Sequence, residues 1–137
     1  MENDGGVITD RDGREYLNLC GVIDLSAYRI GLPKSNPDEA LKNARPDLPT
    51  VFMTHQPKIA GELTQKVDLT LAGHTHGGLM PGLKQIVAAA NGGYVSGYYN
   101  IGREKLIVSN GTRIWAGAPL RLNDPAEISI ITLTRQQ

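Results

Sequence analysis

The chain has 137 residues, 14 basic and 14 acidic, with 40% hydrophobic and 20% charged side chains. That is the size of one ordinary domain with room for a core, and the composition excludes a disordered or fibrous protein. The balanced charge, with only one Phe and one Trp to stack on bases, makes nucleic acid an unexpected partner.

"GVITDRDGREYLNLCGVID" reads as a hairpin. Val7–Thr9 and Glu15–Leu19 flank "RDGR", where Asp12-Gly13 is a two-residue turn signal. Cys20 is the single cysteine and sits in an apolar run, so it is expected to be a buried small residue without a disulfide. "SAYRIGLPKSNPDEALKNARP" is a loop leading into a short helix. Asn36 caps it, Pro37 takes the first position, Glu39 closes a capping box and Pro46 ends it.

"TVFMT" (Thr50–Thr54) is a β-rich run ending at His55. "KIAGELTQKV" comes next as a short helix-like segment, and Val67–Ala72 forms the next strand. Strand, helix and strand over this distance make a βαβ unit with parallel strands. "GYVSGYYNIGREKLIVSNG" is a second hairpin with Gly102 in its turn, after a loop with a helical turn at "LKQIVAAA". The β-branched "AEISIITL" is expected to close the chain as a strand. No apolar stretch reaches the roughly 18 residues of a membrane span, and the polar start "MENDGG" is not a signal peptide.

The three histidines lie between Met53 and Gly77. His55 ends one strand of the parallel pair, and "GHTHGG" carries His74 and His76 just past the other. Ligands bind at that carboxyl edge of open α/β sheets. With one residue between them, His74 and His76 point the same way if the backbone is extended. Three neutral imidazoles on one edge suit a divalent metal, namely Mn, Fe, Zn or Co. Gly77 and Gly78 allow close approach of the backbone to an ion or an anionic substrate. The sequence contains no GxxxxGKS/T, HExxH, CxxC pair or GxSxG.

The ordered set "MTHQPKIA", "VDLTLAGHTHGGL" and "GYVSGYYNIGREKLIVSNGTRIWAGAPLRLNDPAEISIITL" resembles the C-terminal half of calcineurin-like metallophosphoesterases. Within that family it is similar to bacterial members that often carry an N-terminal membrane segment. The likeness implies an α/β fold, the second half of a four-layer α/β/β/α sandwich, over residues 1–137. It implies that His55 and His74 ligate one metal and His76 a second. Two such ions, about 3.5–4 Å apart, activate a water that attacks phosphorus of a phosphoric mono- or diester. The expected ligands are therefore divalent metal ions and a phosphoester substrate, with Gly77 and Gly78 beside the substrate. Because imidazole binds metal only when neutral, affinity is expected to fall as pH drops toward about 6.5.

The family's D-x-H, GD-x-x-D and GNH-D/E motifs, which supply a bridging aspartate, an asparagine and a general-acid histidine, are absent from the sequence. Leu79 stands where the family usually has Gln, and Arg113 where it usually has Gly. The chain is therefore expected to be a fragment or one half of a split enzyme, inactive alone, with a homodimer or the missing N-terminal half as partner. A non-catalytic metal-binding or interaction module is the alternative. A mononuclear zinc hydrolase using the three histidines lacks an evident general base. Compartment stays open, although relatives are often membrane-associated.

Overall fold

The computed structural model describes residues 2–80, 82–112 and 125–134. The described strands are β1 (Asp4–Thr9), β2 (Glu15–Gly21), β3 (Thr50–Met53), β4 (Leu69–Ala72), β5 (Gly97–Ile101) and β6 (Glu104–Val108). They form one mixed sheet in the order β1-β2-β3-β4-β6-β5. The four inner strands run parallel, while β1 and β5 flank them antiparallel. The fold is thus α/β, with both expected hairpins at the sheet edges and the expected parallel pair at its centre.

The first hairpin turns more widely than a two-residue turn. Thr9 pairs with Glu15, leaving five residues, 10–14, in the loop. The Asp10 carboxylate organises that loop by accepting the backbone N–H groups of Asp12 and Arg14. Helix α1 (Pro37–Leu41) starts as expected, with the Asn36 side chain accepting the Glu39 N–H. The reciprocal half of the capping box is not made. The N–H of Asn36 goes instead to the Asn3 side chain, and the Glu39 carboxylate pairs with Lys42. Between β3 and β4 the chain makes a 3-10 helix (Pro57–Glu62), and α2 (Lys84–Ala90) occupies the "LKQIVAAA" stretch.

The pleat sorts the strands into two unlike faces. Cys20, Phe52, Thr70 and Leu106 stand in register on one face. All four are buried, and the core lies there, under Ala40 and Leu41 of α1 and under Ile59 and Ala60 of the 3-10 helix. Gly5 is fixed by this packing, since a Cβ there would lie 2.5 Å from Cys20 Sγ and 2.6 Å from the Ala40 carbonyl oxygen. The opposite face carries Leu19, Val51 and Leu69, then Met53, Leu71 and Ile107. It is apolar but open in places: Met53 is 43% and Tyr98 58% exposed.

The terminal strand is not formed. Residues 125–134 carry no strand, and Ile128 and Ile130 are 81% and 92% exposed. Alternating β-branched residues describe a half-buried strand, but a strand also needs a neighbouring ladder to satisfy its backbone. Here, among the described residues, the Glu127 N–H donates to the Gly111 carbonyl, and no ladder forms. Arg113 lies outside the described residues.

Stability measurements test this packing in two places. Phe52 is fully buried, so Phe52→Ala is expected to cost about 3–5 kcal/mol in urea denaturation; a loss below about 1 kcal/mol would contradict the placement of the core. The Glu104 carboxyl is buried, which raises its pKa against the opposing effect of the Thr70 hydroxyl donated to it. A raised folded-state pKa gives stability at acid pH that is lost as pH rises through it. Glu104→Gln keeps the acceptor for Thr70 without the charge. It is expected to be more stable than the parent at neutral pH, by a margin that narrows as pH is lowered toward the ordinary carboxyl range; a variant less stable at neutral pH would contradict this.

Candidate metal centre

The parallel strands deliver the candidate residues to one place. Past β3, the Thr54 N–H donates to the Leu71 carbonyl, continuing the ladder by one residue. Past β4, the Gly73 N–H donates to the carbonyl of His55 at 3.1 Å, which pins the two loops together. The rings of the two loops meet. His74 Nδ1 lies 3.1 Å from His55 Nε2, with the ring centroids 4.8 Å apart and the planes at 75°.

His74 and His76 are not in extended backbone, so the expectation that both point the same way for that reason is corrected. His74 has φ 73° and His76 φ 49°, and residues 76–78 form a 3-10 turn. The glycine-rich sequence after β4 curls at once instead of prolonging the strand. Thr75, buried between the two histidines, anchors the curl by donating its hydroxyl to the Val95 carbonyl. Left-handed backbone at non-glycine residues is uncommon and costs on the order of 1–3 kcal/mol each where the surroundings enforce it, and it concentrates at functional sites. Gly77 and Gly78 are buried, with φ 73° and 100°. Gly78 has a structural reason of its own: a Cβ there would lie 3.1 Å from the backbone and side chain of Lys84 in α2.

The pair His55–His74 is half open to solvent. The His55 side chain is 53% exposed and borders a shallow cleft of about 490 Å3 lined by Val22, Met53, Thr54 and His55. Partial burial, then the neighbouring His55, lower the pKa of His74, and His76 and Lys58 act in the same direction. Neutral His74 is the form that offers a lone pair to a cation.

The donor spacing fits a single ion. Two nitrogens each about 2.1 Å from one cation stand about 3.0–3.4 Å apart at octahedral or tetrahedral angles. The 3.1 Å between His55 Nε2 and His74 Nδ1 falls in that interval. As placed, no group of three His, Cys, Asp or Glu side chains among the described residues is gathered tightly enough to hold a metal. The structure therefore brings together two of the three expected histidines. The third, His76, lies in the adjoining turn, near enough for its charge to act on His74.

One neighbour escaped the sequence analysis. Asp24, just beyond β2, places Oδ2 3.7 Å from His55 Nε2. Its signal was available: β2 runs parallel to β3 with Gly21 opposite Met53, so the residues just past β2 emerge at the same edge as His55. Pairing β2 with its hairpin partner β1 alone leaves that second neighbour out of view.

No family model matches the chain, and no solved structure matches it. Curated proteins do. An uncharacterized metallophosphoesterase of Helicobacter pylori strain J99 is 37% identical over 120 residues, 85% of this chain and 32% of the relative. An uncharacterized metallophosphoesterase of Campylobacter jejuni is 38% identical over 125 residues, 86% of this chain and 32% of that protein. A Bos taurus protein named as a transmembrane protein with metallophosphoesterase domain is 32% identical over 129 residues, 90% of this chain and 29% of its own length. The chain thus spans about a third of the length of these relatives, 32%, 32% and 29%. The chain is thus similar, over most of its own length, to proteins so named in bacteria and an animal.

Proposed function

We propose that the chain is the C-terminal portion of a metallophosphoesterase domain and that His55, His74 and His76 hold divalent metal for hydrolysis of a phosphoric ester. The observation that carries this is the 3.1 Å approach of His55 Nε2 to His74 Nδ1 at the carboxyl edge of parallel strands. A bound divalent ion at such a site supplies Lewis-acid polarisation and a nucleophilic water at neutral pH. The chain's own residues do the holding. The Gly73–His55 backbone bond sets the loop spacing, Thr75 locks the curl, and the lowered pKa of His74 keeps its lone pair available. The Gly78 N–H is committed to the Thr75 carbonyl, so the part of Gly77 and Gly78 toward a substrate is to shape the turn that presents the histidines.

Two divalent ions about 4 Å apart repel strongly unless anionic ligands offset them. The sequence lacks the family's D-x-H, GD-x-x-D and GNH-D/E motifs, so this chain alone holds one ion and turns over little substrate. A second reading is a metal-binding subunit completed by another chain. The apolar face around Met53, Leu71 and Ile107 supports that reading, because an open sheet face of this kind is normally covered by a partner layer. In the four-layer sandwich implied by the resemblance, a second sheet occupies that position.

Titration calorimetry with Mn, Co and Zn is expected to show one ion bound, with His55→Ala and His74→Ala each weakening it about tenfold or more, and near-background hydrolysis of a chromogenic phosphodiester. Robust turnover by the chain alone, or unchanged affinity in both variants, would contradict the proposal. Light scattering is expected to show self-association that Met53→Lys reduces; a parent chain that is monodisperse and monomeric would argue against an uncovered face.

A further inference from the structure

The chain beyond β2 makes a short, anchored turn next to the His55 segment. Ala27 at its base is buried, and the Ser26 hydroxyl accepts the side-chain amide of buried Gln56 at 3.2 Å. Gly31, at φ 82°, reverses the chain, and the Leu32 N–H returns to the Ala27 carbonyl. On this fixed backbone, residues 28–34 are all exposed. Tyr28 is 48%, Ile30 79% and Leu32 46% exposed, three large apolar side chains within five residues. Scattered singly, such side chains need no explanation; grouped on a rigid turn, they mark a contact surface. Cations stand among them. Arg29 Nε lies 3.5 Å from the Tyr28 hydroxyl, with Cζ 5.9 Å from the ring centroid. Lys34 ends the stretch, and Lys58 comes from the 3-10 helix, exposed between buried Pro57 and Ile59. The charges of Lys34 and Lys58 both reach the Tyr28 hydroxyl. Among the described residues, none of the three cations is paired with a carboxylate. The acidic side chains nearby in sequence are engaged elsewhere: Asp24 with the Ser26 N–H, Asp38 with Thr64 and Gln65, and Glu39 with Lys42. A chain of zero net charge thus gathers uncompensated positive charge around an apolar turn.

We propose that this turn, together with Lys58, docks on an anionic lipid bilayer. Ile30 and Leu32 enter the boundary between headgroups and acyl chains, Tyr28 lies at headgroup level, and Arg29, Lys34 and Lys58 meet lipid phosphates. Free phosphate would engage the cations alone and leave the exposed Ile30 and Leu32 without a role, so the apolar side chains select the bilayer. A surface this small gives weak, reversible attachment that depends on anionic lipid and is screened by salt. Because the backbone of the turn is already fixed, docking costs little ordering of the chain. The turn follows β2 at the edge where His55 and His74 emerge past β3 and β4. Docking therefore turns that edge toward lipid phosphates. This orientation has a catalytic meaning only under the phosphoester reading, whereas the docking itself does not depend on it.

The test pellets the full chain with sucrose-loaded vesicles of phosphatidylcholine, alone or with about one third phosphatidylglycerol. The parent is expected to bind the mixed vesicles and not phosphatidylcholine alone. Ile30→Ser and the double variant Arg29→Gln/Lys58→Gln are each expected to weaken that binding about fivefold or more. Ile8→Ser and Lys105→Gln remove an exposed apolar side chain and an exposed cation at the opposite ends of their strands. Both controls are expected to stay within about twofold of the parent. The substituted side chains are all exposed, and circular dichroism confirms the fold of each variant; Leu32→Ser replaces Ile30→Ser if that variant misfolds. No binding, equal binding to both vesicle types, or a loss shared by the controls overturns the proposal. Undiminished binding by Ile30→Ser, with displacement by inorganic phosphate well beyond that by sodium chloride at equal ionic strength, marks a free-anion site and overturns it too. Mn binding is measured on the same variants by calorimetry. Unchanged affinity there separates docking from the histidine site, and a parent that binds mixed vesicles but no Mn removes the metal proposal while this one stands.

Discussion

The parallel registration of β2, β3 and β4 is the constraint on which the rest of the molecule depends. Each strand ends at the same edge, so the residues beyond the strand ends are gathered without any need for sequence proximity. Asp24 comes after β2, His55 after β3 and His74 after β4. The register is enforced by burial. Phe52 stands between Cys20 and Thr70 on the covered face, and a slip of one residue would send Phe52 to the open face. One backbone bond past the strands, from Gly73 to the His55 carbonyl, converts strand register into ring-to-ring spacing.

The local backbone at the site is costly, and the fold supports it from below. His74, His76 and Leu79 all have positive φ within six residues, alongside glycines that share it. Such a curl persists because its contacts are fixed elsewhere: Thr75 to Val95, and Gly78 against Lys84. A strained, half-open pair of imidazoles is a poor contribution to stability. Two imidazole rings set edge to face at 4.8 Å, one of them 53% exposed, bury little apolar surface. The metal-donor role proposed for them gives this placement a chemical purpose.

Much of this is legible in the sequence, for reasons tied to particular residues. Asn36-Pro37 announces a helix start because an amide side chain accepts an N–H that the first turn leaves over, and proline has none to lose there. The β3–β4 pair is legible because two short apolar runs enclose a helix-like segment long enough for the crossover that parallel strands need. Other features are not. The "AEISIITL" stretch has strand composition, but composition does not name a partner, and residues 125–134 form no strand. The side-by-side reading of His74 and His76 assumes extended backbone where glycines on both sides favour a curl. Asp24 belongs to no familiar motif, and only the parallel pairing of β2 with β3 shows where it emerges.

The most direct measurement is anomalous diffraction from crystals of the chain grown with Mn, Co or Zn. One strong peak is predicted at the carboxyl edge of the sheet, about 2.0–2.2 Å from both His55 Nε2 and His74 Nδ1. A structure in which those two nitrogens turn away from each other, with any bound metal elsewhere on the molecule, would contradict the central claim.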